Sequence, residues 1–489
     1  MRIALVHPPE PYRSIASNII QHPINLAALA SYIMQYGHQV EIWDFAVEPP
    51  TRAHLIKRLK SFLPQAIGFS CMTPLIKTGH KMAEAIKSTD PSIVTIVGGP
   101  HVSAVPVETL LEFPSFDIGV IGEGEITLKE ILDNLQGGKS PAGLAGTVYR
   151  EDGDIKVGAW RPLISDLNEL PYPKRELINF DLYLGSSSPG LSSKIMGITE
   201  IFTSRGCPHR CIFCGSHITH RQKVRFRSPE HLMGEIVECL ERFKIEHFTI
   251  DDDTFTYGKE RLMKILRGFK ELKISWDCDS RVDSISPEIL EAMADAGCKK
   301  VAFGVETGSP RILELIRKKI TVEQIEKAFK WAKKAGILSS AFVMVGSHPS
   351  ETEEDLKQTL DLLYRTRPDY ALVYIAVPYP GTELYQMMKE KGFIFTEDWD
   401  EFDIVRTEAK WRTDNFMPQD LVKYQKWMYR RYYLRPSFML RKLLNAHSLK
   451  ELEYLFGAGF DFIKYVFAKR RKGVAIGARI EAFQSQKGS

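Results

Sequence analysis

The sequence predicts an α/β fold in three parts: an N-terminal doubly wound parallel sheet, a partial (β/α)6 TIM-like barrel and a C-terminal helical region. Three observations carry this. Short β-rich runs alternate with helical patterns over residues 1–136, the alternation restarts over residues 195–385, and no strand signal follows Tyr385. Strands that alternate with helices build parallel sheets with helical cover.

In chain order, the first strands are RIALVH, QVEIWDF, AIGFS, IVTIVGG and FDIGVIG. The loops behind them are rich in Pro and Gly, and they carry His7, Ser70, Thr73, Gly98, Gly99, His101, Gly122, Glu123 and Gly124. In an open α/β sheet a ligand binds outside the carboxyl ends of the strands, where such loops lie. Residues 137–194 show little periodicity and read as a connector with room for a small hairpin. The second series runs TEIFTS, HFTIDD, ISWDCD, KVAFGV, SSAFVMVG and YALVYIAV, with helical patterns such as SPEHLMGEIVECLERF and TVEQIEKAFKWAKKAG between them. Six such units are an incomplete barrel, whose working residues belong at the carboxyl ends of its strands. Residues 386–489 read as a helical cap, and Lys423 to Lys442 hold seven Lys or Arg and no acid. That run is a solvated basic face, or alternatively a surface for an anionic or amphipathic substrate or a membrane interface.

Composition narrows the function classes. Hydrophobic residues at 44% and charged residues at 26% are the balance of a globular protein. A net charge of only +4 argues against a nucleic-acid binder. The start MRIALVHPPEP lacks the pattern of a signal peptide, and the most apolar stretch, YLFGAGFDFIKYVF, is interrupted by Asp461 and Lys464. A cytoplasmic location is the expectation.

Seven cysteines are an odd number, and Cys207, Cys211 and Cys214 crowd into TSRGCPHRCIFCGSH directly behind the first barrel strand. Gly206 and Pro208 oppose a regular helix there, so the thiols belong on a loop wrapped around a metal. Thiolates suit zinc or an iron-sulfur cluster. A four-iron cluster with three close thiolates keeps one iron open, whereas zinc would need a fourth ligand such as His209, His217 or His220. Cys71, Cys239, Cys278 and Cys298 stand apart, and Cys239 in its helical pattern reads as a small core residue.

The C-x3-C-x2-C spacing on the loop after strand one of a partial barrel resembles the signature of the radical S-adenosylmethionine (SAM) superfamily. The resemblance implies that the three cysteines hold a 4Fe-4S cluster whose open iron is chelated by SAM. It also implies that cleavage of SAM yields a 5'-deoxyadenosyl radical, with electrons from a reductant protein such as flavodoxin or ferredoxin. Where the family usually has Gly-Gly-Glu after strand two, this chain has Asp251, Asp252 and Asp253, which implies a backbone contact to the SAM amino group. Asp279 and Arg281 follow strand three, Glu306 lies between Gly304 and Gly308 after strand four, and Gly346 opens GSHPSET after strand five. Glu306 is the candidate for a polar contact to SAM. Singly, such residues are as readily helix caps or turns.

A doubly wound domain ahead of such a barrel is similar to the cobalamin-binding radical SAM subfamily, through IVGGPHVSAVPVETL and FDIGVIGEGEITLKEIL. Cobalamin is therefore implied over the Rossmann-like N-terminal sheet. Gly98 and Gly99 let backbone approach a flat ring, and Ser70, Thr73 and the Gly122 to Gly124 loop meet its polar fringe. No Asp-x-His-x-x-Gly motif supplies a lower His ligand, so cobalamin is expected without one, and His7 and His101 read also as loop caps. The leading expectation is cobalamin-dependent methylation of an unactivated carbon. The alternatives are an oxidative, ring-forming enzyme like the anaerobic magnesium-protoporphyrin monoester cyclase, to which RRYYLRPSFMLRKL is also similar, and a non-enzymatic cobalamin- or zinc-binding module. The aromatic, basic C-terminal region suggests a small-molecule or lipid-like substrate, such as a lipid, tetrapyrrole or polyketide, and a peripheral membrane contact.

Overall fold

The structure, a computed structural model, describes residues 1–10, 21–183, 197–404 and 408–444. The N-terminal sheet is built from β1 (Arg2–His7), β2 (Gln39–Asp44), β3 (Ala66–Ser70), β4 (Val94–Gly98) and β5 (Ile118–Val120), all parallel. Helices α1 (Ile24–Met34), α2 (Arg52–Phe62), α3 (Ile76–Thr89), α4 (Pro100–Ala104), α5 (Pro106–Glu112) and α6 (Glu125–Gln136) cover its faces. The order β2-β1-β3-β4-β5 reverses between β1 and β3, the switch point at which such sheets open a crevice.

The connector does more than connect. Its strands β6 (Thr147–Glu151) and β7 (Asp154–Val157) extend the same sheet antiparallel beyond β5, giving seven strands. The hairpin turns through Asp152 and Gly153, with φ of 55° and 88°, the left-handed pair that a two-residue turn between twisted strands requires. Further along, Arg175 is buried and ion-paired to Glu235 at 2.6 Å, which pins the connector to the barrel's first long helix.

The barrel follows with β8 (Ile198–Ile201), a two-stranded ribbon of β9 (Ser204–Arg205) and β10 (Arg225–Phe226) around α7 (Ser216–His220), and then α8 (Pro229–Arg242) and β11 (His247–Ile250). It continues through α9 (Lys259–Leu272), β12 (Ser275–Ser280), α10 (Pro287–Asp295), β13 (Cys298–Glu306), α11 (Pro310–Leu315), α12 (Val322–Lys334), β14 (Leu338–Val345), α13 (Glu353–Thr366) and β15 (Tyr370–Ile375). Its order, β8-β11-β12-β13-β14-β15, is sequential and parallel throughout, an open six-stranded barrel wall. The helices start on side-chain caps, Ser228 for α8, Ser286 for α10 and Thr321 with Gln324 for α12.

Strand alternation sorts the barrel into two faces. Phe248, Ile250, Trp276, Cys278, Val301, Phe303, Val305, Val343 and Val345 pack outward under the helices. The alternate positions, among them His247, Asp251, Asp277, Asp279, Lys300 and Glu306, face the interior. At its lower end His247, Asp277 and Lys300 form a buried ionic plug, with Asp277 3.4 Å from His247 and 3.3 Å from Lys300.

Beyond α14 (Glu383–Glu390), the helices α15 (Pro418–Tyr433) and α16 (Pro436–Leu444) close the chain as described. Helix α15 lies along β15 and supplies what a seventh strand would. The Val373 N–H donates to the Tyr429 hydroxyl at 3.0 Å, the Ala371 N–H to Tyr433 at 2.9 Å, and Gln425 donates to the Val373 carbonyl at 2.8 Å. The aromatic richness read from the sequence is thus largely an edge cap on the barrel. The segment YLFGAGFDFIKYVF lies outside the described residues, as do residues 184–194 of the connector. Among the described residues no helix is long and apolar enough to cross a membrane.

Candidate active site

The loop between β9 and β10 carries Cys207, Cys211 and Cys214 at the carboxyl end of the barrel, all three as free thiols. It is backed by residues 316–319: Ile212 N–H donates to the Ile316 carbonyl at 3.2 Å, and the Cys211 Sγ stands 3.8 Å from the Arg317 carbonyl. Arg317 and Lys319 both adopt left-handed φ, 55° and 56°. Between them Lys318 turns inward to pair with Glu306 at 2.6 Å, and Arg281 donates to the Lys318 carbonyl at 2.7 Å while forking onto Asp283. Gly304 makes room for that pair, since a Cβ there would meet the Glu306 carboxylate at 2.6 Å and the Lys318 Nζ at 2.7 Å. On the other side the Cys207 Sγ lies 3.9 Å from the Thr254 hydroxyl.

Beside this loop a cavity of about 510 Å³ opens between the two sheets. The N-terminal sheet contributes Ser70, Gly98, Gly99 and the turn Gly122, Glu123 and Gly124, over an apolar floor that includes Leu5, Phe69, Ile96 and Leu128. The barrel contributes Phe202, Arg205, Gly206, His220, Arg227, Asp251 and Asp253. Gly99 cannot be replaced by a larger residue: its φ is 108°, and a Cβ would lie 2.6 Å from the Cys71 carbonyl. Asn25 donates to the Ser70 hydroxyl at 3.2 Å. Glu123 accepts from Arg205 and Arg225, each at 2.8 Å, and from the Ile164 N–H at 2.9 Å. Burial pushes the Glu123 carboxyl up, but Arg225 and Arg205 outweigh it and hold it down at about 2.

The Radical SAM superfamily matches residues 201–363, and the B12 binding domain family matches residues 16–132. An uncharacterized methyltransferase of Pyrococcus horikoshii, PH0819, is 33% identical over 453 residues, which cover 92% of this chain and 96% of that protein. The chain belongs to the cobalamin-binding radical SAM family. The anaerobic magnesium-protoporphyrin IX monomethyl ester cyclase of Rubrivivax gelatinosus is 25% identical over 481 residues, 96% of this chain and 84% of that one. Among solved structures, the cobalamin-dependent SAM radical enzyme OxsB, with aqua-cobalamin and SAM bound, superposes with a TM-score of 0.70 at 19% identity, covering 99% of this chain and 75% of that one.

The residues present fit the groups that a cobalamin-binding radical SAM enzyme carries. Among the described residues no three His, Cys, Asp or Glu side chains converge as they would on a single ion. A cluster does not ask that of them, because each thiolate takes a separate iron. The other four cysteines, Cys71, Cys239, Cys278 and Cys298, are buried in the cores. The glycine-lined upper edge of the cavity, with Ser70 on its rim, offers backbone rather than bulk to a large flat ring.

The predicted site residues divide into groups. Ser70, Gly98, Gly99, Gly122, Glu123, Gly124 and Asp251 come together around the cavity. Arg281 and Glu306 meet through Lys318 behind Cys211, and Asp279 stands inside the barrel near Asp251. The remaining four predicted residues are placed elsewhere. Thr73 and His101 are not on the cavity wall: His101 is buried, 3.3 Å from the Thr73 hydroxyl and edge-on to Trp399. Asp252 is committed to the backbone ahead of the cysteine loop, accepting from Thr203 N–H at 2.6 Å and Ser204 N–H at 3.1 Å. Gly346 is covered by α15, where a Cβ would meet Leu421 at 2.9 Å. Sequence reasoning missed Arg205, Arg225 and the His22–Glu200 pair at 2.9 Å. Arg205 had a signal, two residues ahead of Cys207. His22 had none.

Proposed function

We propose that this enzyme is a cobalamin-dependent methyltransferase acting on an unactivated carbon of a small molecule, with Cys207, Cys211 and Cys214 as the thiolates of its 4Fe-4S cluster. The observation that carries the reading is a cavity whose walls come from both sheets and which reaches the cysteine loop at Gly206, Thr219 and His220. The methyltransferase named for the Pyrococcus relative, matched along nearly its whole length, agrees with it. When bound, the cluster with SAM supplies a hydrogen-abstracting radical, and cobalamin supplies a methyl group.

The chain's own part is placement. Ser70, Gly98, Gly99 and the Gly122 to Gly124 turn would hold the corrin fringe. The 316–319 loop, fixed by the Lys318–Glu306 pair and by Arg281, would support the cluster from behind Cys211, and through that pair Glu306 would act on SAM binding indirectly. The apolar floor keeps water from the space in which a carbon radical would live. Electrons would come from a small redox protein such as flavodoxin or ferredoxin. The free thiols suit a reducing cytoplasm. The Rubrivivax cyclase relative favours ring closure as a second reading.

The test is reconstituted enzyme with SAM labelled in its methyl group. Methyl transfer predicts labelled product, with 5'-deoxyadenosine and S-adenosylhomocysteine in roughly equal amounts. Unlabelled product with 5'-deoxyadenosine alone would reject methylation and favour ring closure. Replacing the three cysteines together with Ala should remove the iron and all SAM cleavage.

A further inference from the structure

The cysteine loop leaves and re-enters the barrel through a narrow neck. Arg205 and Arg225 face each other across the β9–β10 ribbon, one before the three cysteines and one after them. The neck is tight: a Cβ on Gly206 would lie 2.4 Å from the Lys223 carbonyl. Both guanidinium groups reach the same carboxylate, and it belongs to the other sheet. Glu123, on the turn after β5, takes Arg205 on one oxygen and Arg225 on the other. Glu125 takes the second arm of Arg205 at 2.5 Å, and Arg225 extends to His220 at 3.3 Å, on the helix that follows the last cysteine. Arg225 and Glu123 are almost wholly buried, so water does little to screen the pairing.

The same turn, Gly122 to Gly124, forms one wall of the cavity. Its backbone therefore cannot shift for an occupant without moving the carboxylate that grips the neck. We infer that Glu123 is a positioning residue: by holding Arg205 and Arg225 it fixes the cysteine loop against the cobalamin side of the cavity, so that filling the cavity steadies the loop. The coupling rests on the proposed cobalamin site; the clamp itself does not. By reciprocity, a loop ordered by its own cofactors favours cavity filling to the same degree.

Amide hydrogen exchange on the full chain tests this, before and after saturation with hydroxocobalamin. In the wild type, hydroxocobalamin should slow exchange across residues 206–224. Glu123→Gln keeps the shape of the side chain and removes its charge. It should speed exchange of that loop about tenfold in the cofactor-free protein, and once the cavity is saturated, as read from the visible absorption of the bound cofactor, hydroxocobalamin should no longer slow it. Arg205→Gln, from the other side of the clamp, should behave alike, and unchanged exchange in β4 and β13 reports that both variants are folded. A loop equally protected in wild type and both variants overturns the inference. So does a loop that hydroxocobalamin slows as strongly in the variants as in the wild type. Failure of the wild type to bind hydroxocobalamin strikes the cobalamin reading instead, and the cofactor-free comparison then decides the clamp alone.

Discussion

Inside the barrel, single carboxylates set the pH response. Asp251 sits at the end of β11, and its carboxyl is pushed up to about 7, first by burial and then by the neighbouring charges of Asp279, Glu200, Asp252 and Asp253. Asp279 stands open to the barrel interior while the wall surrounds it, and burial together with Asp277 pushes it up to about 6. Both groups hold their protons more tightly in the folded chain than in the unfolded one. Their contribution to stability is therefore fully present below about pH 4, and it is lost as pH rises toward 6 and 7. Asp251→Asn removes the larger share. Its melting temperature should match the wild type near pH 3.5 and exceed it at pH 8, and scanning calorimetry at the two pH values reads the difference. An equal shift at both would mean that the carboxyl is not the cause.

At the scale of elements, α15 shows why an aromatic, basic helix was hard to read. Its Tyr429 and Tyr433 hydroxyls and its Gln425 amide serve the unpaired backbone of β15, an edge that would otherwise invite pairing with another chain. Tyr433→Phe strips the hydroxyl that both accepts from Ala371 N–H and donates to its carbonyl, leaving two buried groups unserved. A loss of about 1–3 kcal/mol in urea unfolding is expected. The strands themselves were legible, because β-rich runs between capped helices state their period locally. So was the cysteine loop, because its three cysteines lie within eight residues. The polar interior was not. HFTIDD and ISWDCD show alternation, but the partners of Asp277 are His247 on one neighbouring strand and Lys300 on the other. The packing of His101 was illegible for a similar reason: its neighbour Trp399 lies 298 positions on, beyond any local pattern.

For the whole molecule, the question is what makes two sheets behave as one body around a shared cavity. Two hydrophobic clusters, one around the barrel and one beneath the N-terminal sheet, meet at Trp399, which packs against both. Its indole N–H donates to Glu112 at 2.7 Å, and its ring stands 5.0 Å from His101 and 5.3 Å from Phe402. Beside it Lys77 pairs with Asp398 at 2.7 Å. Burial holds the His101 imidazole down at about 3, so the joint stays uncharged at neutral pH. At the cavity wall, Glu123 and its two arginines make a second joint of opposite character, ionic where this one is apolar. Trp399→Ala should weaken the apolar joint by less than the roughly 3–5 kcal/mol of a fully buried Trp, because the ring is only half-buried. Each sheet keeps its own core in this variant, so the loss falls on the contact between them and not on either fold. Calorimetry should then resolve two unfolding transitions where the wild type shows one, because cooperativity between units requires the interface that joins them. A single transition, merely lowered, would place the coupling elsewhere, with the Glu123 clamp as the remaining joint.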